Sequence, residues 1–409
     1  MHVAIVGCGH GKLTAIYEEI AKAEGQAPSV KVELLIICGD FQYDLSRMAA
    51  PDKYKKMEDF HLYYSGALKA PIPTLFIGGN HEAPNYLWEL WHGGWVAPSI
   101  YYMGSSGVIW FGGLRIAGIS GIYKSHDYLR SFSANENPPS FNNHGPPPRS
   151  PYHYRQLEIE KLSMIDTLVD VMISHDWPNR IFSYGSVPDL IRRKPHFQGD
   201  IKTDEGLGSP PLMDLLKKLK PRFWFSGHLH VKYPAIYSHQ GTTPRSLQAE
   251  NTRLFKASSH VFQIPEQEGP YCTRFLALDK SLPRRQFLQV FLHCECMPPV
   301  FSYDPEWISI LRKTNNRLEG LMPWSEPHSC EEHVEDNAGD ISTFLIPESF
   351  ERIAPSFQEE SQGTGNFSKG ILAYLRVERF YPNPQTLNFC KLIGVPCCVY
   401  PPSSPSPSM

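Results

Sequence analysis

The sequence predicts an α/β fold with strands that pair in parallel at least in part. Short apolar runs rich in Val, Ile and Phe recur along the chain and stop at Gly or Asn. Stretches with helical character lie between them, and such alternation packs helices against a sheet. Five of the runs also end in side chains able to bind metal. Open α/β sheets hold their ligand sites at the carboxyl ends of strands, where loops distant in sequence converge.

The elements follow in order. The first run is VAIVG, from Val3, and GCGHGK brings Cys8 and His10 directly after it. A helix is expected over Leu13 to Glu24. ELLIICGD, from Glu33, ends in Asp40, and PTLFIGGNH, from Pro73, ends in Asn80 and His81. VIWFGGLRIAGISG, from Val108, reads as a hairpin turning at Gly112-Gly113. The stretch Lys124 to Tyr154 contains SFSANENPPSFNNHGPPPRSP and reads as a long inserted loop. A helix over Tyr152 to Thr167 leads to VDVMISHD, from Val169, which brings in His175. A helix over Leu212 to Leu219 precedes RFWFSGHLH, from Arg222, which carries His228 and His230. A polar stretch then runs from His239 to Gln267. Near Met297-Pro298-Pro299 the composition shifts toward Pro, Ser and Glu, which marks a boundary. The expected organisation is a catalytic domain over 1–296, a smaller domain over 297–400, and a disordered tail, PPSSPSPSM, over 401–409.

Bulk properties exclude several classes of function. The 409 residues are 41% hydrophobic and 20% charged, as in a soluble globular protein. A net charge of −3 gives no general grip on nucleic acid, so any such binding must use a local basic patch. No apolar run approaches the roughly 18 residues of a membrane span, so no membrane association is expected. The beginning of the chain lacks a secretory pattern, and nine scattered cysteines suit a reducing compartment.

Each strand-end motif has a plain reading by itself. Asp40 could start a turn or cap a helix, GNH is common turn chemistry, and GHLH could be two exposed polar residues. Their joint order is far harder to produce by chance. Asp40 can bridge two cations, with Cys8, His10 and His230 completing one site and Asn80, His175 and His228 the other. Two such cations about 3.5–4 Å apart clamp a phosphate and activate a bridging water. His81 is one donor too many for the metals and is a candidate general acid. Glu82, beside it, could orient that histidine, but a surface carboxylate is the expected reading. The thiolate at one site favours Zn²⁺ or Fe²⁺ over Mg²⁺, and the N and O donors of the other also suit Mn²⁺. GCGHGK is no P-loop, because the GxxxxGK spacing is absent and Leu13 stands where Ser or Thr is needed.

The five motifs, in this order, resemble those of the calcineurin-like metallophosphoesterases, with Cys8 in place of that superfamily's usual Asp. This replacement resembles the RNA lariat debranching enzymes. So do the longer stretches KYKKMEDFHLYYSG, APIPTLFIGGNHEA, GISGIYKSHDY, WFSGHLHVK, SYDPEWISILRKTN and NPQTLNFCKLIG. The resemblance implies a β-sandwich of two mixed sheets flanked by helices, with a smaller C-terminal debranching-enzyme domain. It implies hydrolysis of the 2′-5′ phosphodiester of branched intron lariat RNA by a dimetal-activated hydroxide, which linearises introns for turnover. It implies the metal ligands Cys8, His10, Asp40, Asn80, His175, His228 and His230, with His81 as acid, and a lariat-recognition loop at 124–154. A nuclear location with passage to the cytoplasm is the accompanying expectation. Lys124, Arg155 and Lys232 are expected to meet phosphates, and Tyr123 or Tyr128 to stack on a base. Two departures stand out: the family's longer segment with Arg-Asn after CGDFQ is missing, and 239–272 is longer than usual.

Overall fold

In the computed structural model the described residues are 1–41, 58–132, 150–203, 206–241, 249, 251, 261–263, 271–292, 297–322, 345–348, 350 and 383–399. They form two seven-stranded sheets. In chain order the strands are β1 His2–Val6, β2 Val32–Ile37, β3 Thr74–Phe76, β4 Gly94–Ala97, β5 Ile100–Tyr102, β6 Ser106–Phe111 and β7 Leu114–Ile119. They continue with β8 Val171–Ser174, β9 Phe223–Ser226, β10 Tyr233–Ser238, β11 Val261–Gln263, β12 Cys272–Ala277, β13 Leu288–Leu292 and β14 Phe301–Tyr303. The first sheet runs β11-β13-β1-β2-β3-β5-β4 and the second β10-β12-β9-β8-β7-β6-β14. Both are mixed: β1, β2 and β3 are parallel neighbours, as are β7, β8 and β9, while β13 and β6 run antiparallel to β1 and β7.

Period-two alternation explains why the sheets pack face to face. Val3 and Ile5 of β1 and Leu34 and Ile36 of β2 share a buried cluster with Val171, Ile173, Phe223 and Phe225 of the second sheet. Their sequence neighbours Ala4, Val6, Leu35 and Ile37 point the other way, onto Leu13, Ile16 and Ile20 of the helix Leu13–Gln26. On the far side Met172 and Trp224 meet Leu212, Leu215 and Leu216 of the helix Pro210–Leu219. Each fully buried aliphatic or aromatic side chain here contributes about 1.5–3 kcal/mol. The continuous apolar runs follow from this burial on both faces.

Most expected elements are present with shifted ends. The β6–β7 hairpin turns at Gly112-Gly113, both at positive φ (57° and 83°), as a two-residue primed turn requires. The helix expected over Tyr152 to Thr167 is shorter, at Gln156–Ser163. Residues before it are drawn into a different bond, an isolated parallel bridge from His153 to Ile122. Residues 301–321 are joined closely to the second sheet. β14 pairs with β6, and the helix Pro305–Leu321 places Trp307, Ile308 and Leu311 in the same cluster as Trp177 and Trp224. Buried Arg115 on β7 donates to both oxygens of Asp304, at 2.8 and 2.9 Å, and to Glu306 at 2.8 Å. Asp304 also caps the helix by accepting from the Trp307 N–H at 2.8 Å. Among the described residues no helix is long and apolar enough to cross a membrane. The segment after Gln42, the middle of the 124–154 stretch (133–149), most of 239–272 and the 401–409 tail lie outside the described residues.

Candidate metal centre

The sequence puts metal-binding side chains just past the ends of β1, β2, β3, β8 and β9, and the parallel pairing brings those ends to one rim. The loops after β1 and β2 extend the ladder beyond the strands: Gly9 N–H donates to the Gly39 carbonyl (3.1 Å) and His10 N–H to that of Asp40 (2.5 Å). Four of the expected ligands lie in the left-handed region, His10, Asp40, His228 and His230, with φ of 49°, 46°, 64° and 51°. Non-glycine residues are uncommon there, and such strain concentrates at functional sites. The glycines beside them leave room for the side chains. A Cβ on Gly79 would sit 2.3 Å from Asp40 Oδ1, and one on Gly39 (φ 103°) 2.3 Å from His175 Nδ1.

Ligating atoms of Cys8, His10, Asp40 and His230 all lie within 4.8 Å of one another. His10 Nε2 is 3.3 Å from His230 Nε2 and 3.7 Å from Asp40 Oδ2. A second group abuts the first through Asp40: His175 Nε2 is 3.3 Å from Asp40 Oδ1 and 3.1 Å from Asn80 Oδ1. The His228 ring lies 4.9 Å from that of His175. Asp40, His175 and Asn80 thus meet beside the first group, and His228 is a neighbour of both, its ring against that of His175 and its backbone N–H on Cys8 Sγ.

The donor chemistry fits divalent cations. His175 Nδ1 donates to the Cys38 carbonyl at 2.8 Å, so in the neutral ring Nε2 carries a lone pair. In that tautomer the lone pair faces two oxygens that are themselves acceptors, Asp40 Oδ1 and Asn80 Oδ1. A cation satisfies this convergence, and the Cys38 carbonyl fixes the tautomer in the way ligating histidines require. Asp40 Oδ2 is buried and has no hydrogen-bond partner among the described residues. Such an orphan costs about 1–3 kcal/mol unless something compensates it.

The electrostatics agree. Burial works against ionising Asp40, yet the imidazoles of His175, His10, His81 and His228 hold its carboxyl well below the usual carboxylate range. Its Oδ1 also accepts from the N–H groups of Asn80 (3.0 Å) and His81 (2.9 Å). Burial lowers His228 to about 4 and His230 to about 3, so both stay neutral and able to coordinate. Burial, and then the charge of Asp40, push the Cys8 thiol well above its ordinary value. A bound cation would draw off that proton, and the His228 N–H, 3.1 Å from Sγ, is placed to stabilise the thiolate.

A stability prediction follows for the metal-free protein. His228, His230 and the buried His92, which burial lowers to about 3, all take a proton later in the fold than in the unfolded chain. Between about pH 6.5 and pH 3 the unfolded state therefore binds more protons, so stability falls as pH falls through that window. Above it these rings contribute nothing. Asp40, with its depressed carboxyl, adds a further loss below about pH 4. Urea midpoints in chelator at pH 7.5, 5.5 and 4.5 are expected to decline in that order; constant midpoints would contradict the neutral rings.

His81 stands beside the centre. Its ring is 6.1 Å from that of His10, and its Nδ1 is buried with no hydrogen-bond partner among the described residues. Glu82 is not the expected surface carboxylate. It is 1% exposed, and Oε1 accepts from the N–H groups of Phe41 (2.7 Å) and Gly79 (2.9 Å). It ties the Asp40 loop to the Asn80 loop. Its place directly after the GNH turn was the only signal in the sequence.

The five expected RNA contacts divide. Lys124 is exposed, and Tyr123 and Tyr128 are half-buried with their rings 5.4 Å apart. Arg155 is 1% exposed and is not presented to a ligand. Its guanidinium lies over the Phe132 ring and donates to the carbonyls of Arg130, Ser150 and His153. Lys232 is also buried and donates to Gln289 Oε1 at 2.8 Å. Both cations serve the fold, so their expected phosphate contacts are not supported by this geometry.

Comparison with known proteins places the chain in a family. Residues 1–232 match the model for calcineurin-like phosphoesterase, and residues 270–397 that for the lariat debranching enzyme C-terminal domain. The chain is similar to the lariat debranching enzyme of Drosophila pseudoobscura pseudoobscura, at 40% identity over 98% of this chain and 78% of that one. The human enzyme of that name is 40% identical over 97% of this chain and 69% of its own length. The one from Arabidopsis thaliana is 38% identical over 97% and 87%.

Proposed function

This chain belongs to the lariat debranching enzymes, and from that premise we propose that it hydrolyses the 2′-5′ phosphodiester at the branch of intron lariat RNA. The observation that carries the reading is the meeting of Cys8, His10, Asp40 and His230 within 4.8 Å, with Asp40 shared by a second group. Cys8, His10, Asp40 and His230 would hold one divalent cation, and Asp40, Asn80, His175 and His228 the other. When bound, two such ions neutralise phosphoryl oxygens and lower the pKa of a water that becomes the nucleophile.

The chain's own residues do the rest. Asp40 keeps the two groups at one spacing, and Glu82 holds the Asp40 and Asn80 loops in register. The Cys38 carbonyl fixes His175 in the tautomer that presents Nε2. His81 gives a proton to the departing 2′ oxygen, leaving a 5′-phosphate on the linear RNA and a hydroxyl at the branch residue. Lys124, Tyr123 and Tyr128 support binding of a branched single strand, by charge and by stacking. We also propose a nuclear location with passage to the cytoplasm, on the ground that excised introns arise in the nucleus.

Thiolate ligation at one site favours Fe²⁺ or Zn²⁺ there, with Mn²⁺ suited to the other. Metal-stripped protein supplied separately with Fe²⁺, Zn²⁺ and Mn²⁺ is expected to debranch a short branched RNA with at least one of them and to stay inactive with Mg²⁺ alone. Cleavage of linear RNA or a phosphopeptide in preference to the branch would defeat the substrate assignment.

A further inference from the structure

Among the described residues a second group of ligating side chains converges away from the centre: His126, Asp127 and His153. We propose that these three bind a divalent transition-metal ion, Zn²⁺ being the natural probe, which ties together the two arms of the 124–154 stretch. Two imidazoles and one carboxylate form a recurrent donor set for such ions, with positions left for water.

The geometry is close to what an ion needs. Asp127 Oδ2 is 3.3 Å from His126 Nε2 and 2.6 Å from His153 Nδ1. Two donors about 2.1 Å from a tetrahedral ion lie about 3.4 Å apart. The first separation already matches, and the second must open by roughly 0.8 Å. The Asp127–His153 contact is at present a hydrogen bond. On coordination through Nδ1 the neutral ring's proton moves to Nε2, so charge and atoms balance without an added reactant.

The surroundings favour a fixed site. Asp127 and His153 are buried, and each sits on backbone that is itself held. Ile122 N–H donates to the Tyr152 carbonyl (3.0 Å), and Asp127 N–H to that of Lys124 (3.1 Å). The donors come from positions 126–127 and 153, so an ion would staple the base of the loop. His126 is 63% exposed, which leaves an entry path and open coordination positions. The positive charges of Arg155 and Lys124 lie near enough to act on His153 and oppose a cation. Arg155 also acts on Asp127, but its N–H groups are engaged by three backbone carbonyls.

The test counts ions. Full-length protein is stripped with chelator, loaded with Zn²⁺, desalted and analysed for metal per chain. His126→Ala is expected to carry one Zn²⁺ fewer than the wild type, its affinity at that site falling by at least ~100-fold. His126 is mostly exposed, so the variant should fold, and circular dichroism verifies this. The His126-dependent ion should persist in Cys8→Ala, which disturbs only the centre. Equal zinc in the wild type and His126→Ala would overturn the proposal, whatever Cys8→Ala loses.

Discussion

Asp40→Asn is expected to lower debranching by at least ~10³-fold and to destabilise the fold both with and without metal. The catalytic loss follows from the position of the carboxylate, which faces His175 and Asn80 through Oδ1 and His10 through Oδ2. Asparagine keeps the shape, and its oxygen still accepts from the Asn80 and His81 N–H groups, so the loops stay in place. What disappears is the negative charge that two cations share. Metal ions supply several kcal/mol of transition-state stabilisation, and each 1.36 kcal/mol is a factor of ten. Bound metal should drop from two ions per centre to one or none.

The stability effect has the same sign. The surrounding imidazoles hold the Asp40 carboxyl well below the usual carboxylate range, so the metal-free fold favours the ionised form, and an uncharged Asn gives up that stabilisation. In the loaded protein the wild type gains further from tight metal binding. Thermal melts should favour the wild type with chelator and by a wider margin with Mn²⁺, and an equal loss in both conditions would show that Asp40 serves the fold alone. Strain in the left-handed residues is likewise stability given up where function needs a particular geometry.

The candidate ligands were legible as a group because each lies within a few residues of a strand that is itself legible from its apolar run. Cys8, His10, Asp40, Asn80, His175, His228 and His230 need only parallel strands ending on one rim to meet. Roles set by tertiary surroundings were not legible. Nothing local distinguishes Glu82, whose carboxylate reaches back to Phe41 N–H, from a solvated acid. Arg155 and Lys232 look like free cations in sequence, and their partners, the Ser150 carbonyl and Gln289 Oε1, depend on how the loop and β13 fold back. The same holds for Asp304, whose link to Arg115 spans 189 residues.

His81→Ala is expected to slow cleavage of the natural branch by about 10²–10⁴-fold, the usual contribution of a positioned acid. The backbone N–H of residue 81, which binds Asp40 Oδ1, survives the substitution. Metal content should therefore equal that of the wild type, in contrast to Asp40→Asn. A substrate whose leaving group departs without protonation, such as a nitrophenyl phosphodiester, has no need of the acid. It should lose little, well under tenfold, on the same change. The pattern across two substrates isolates proton donation from positioning, because a ring that merely packs against His10 would affect both alike. Equal losses on the two, with metal content intact, would reassign His81 to orienting the phosphate. Glu82 supplies the complementary control: Glu82→Gln loosens the backbone that carries both Asp40 and His81. It should therefore slow both substrates together, by the ~10–100-fold typical of residues that support a metal site from behind.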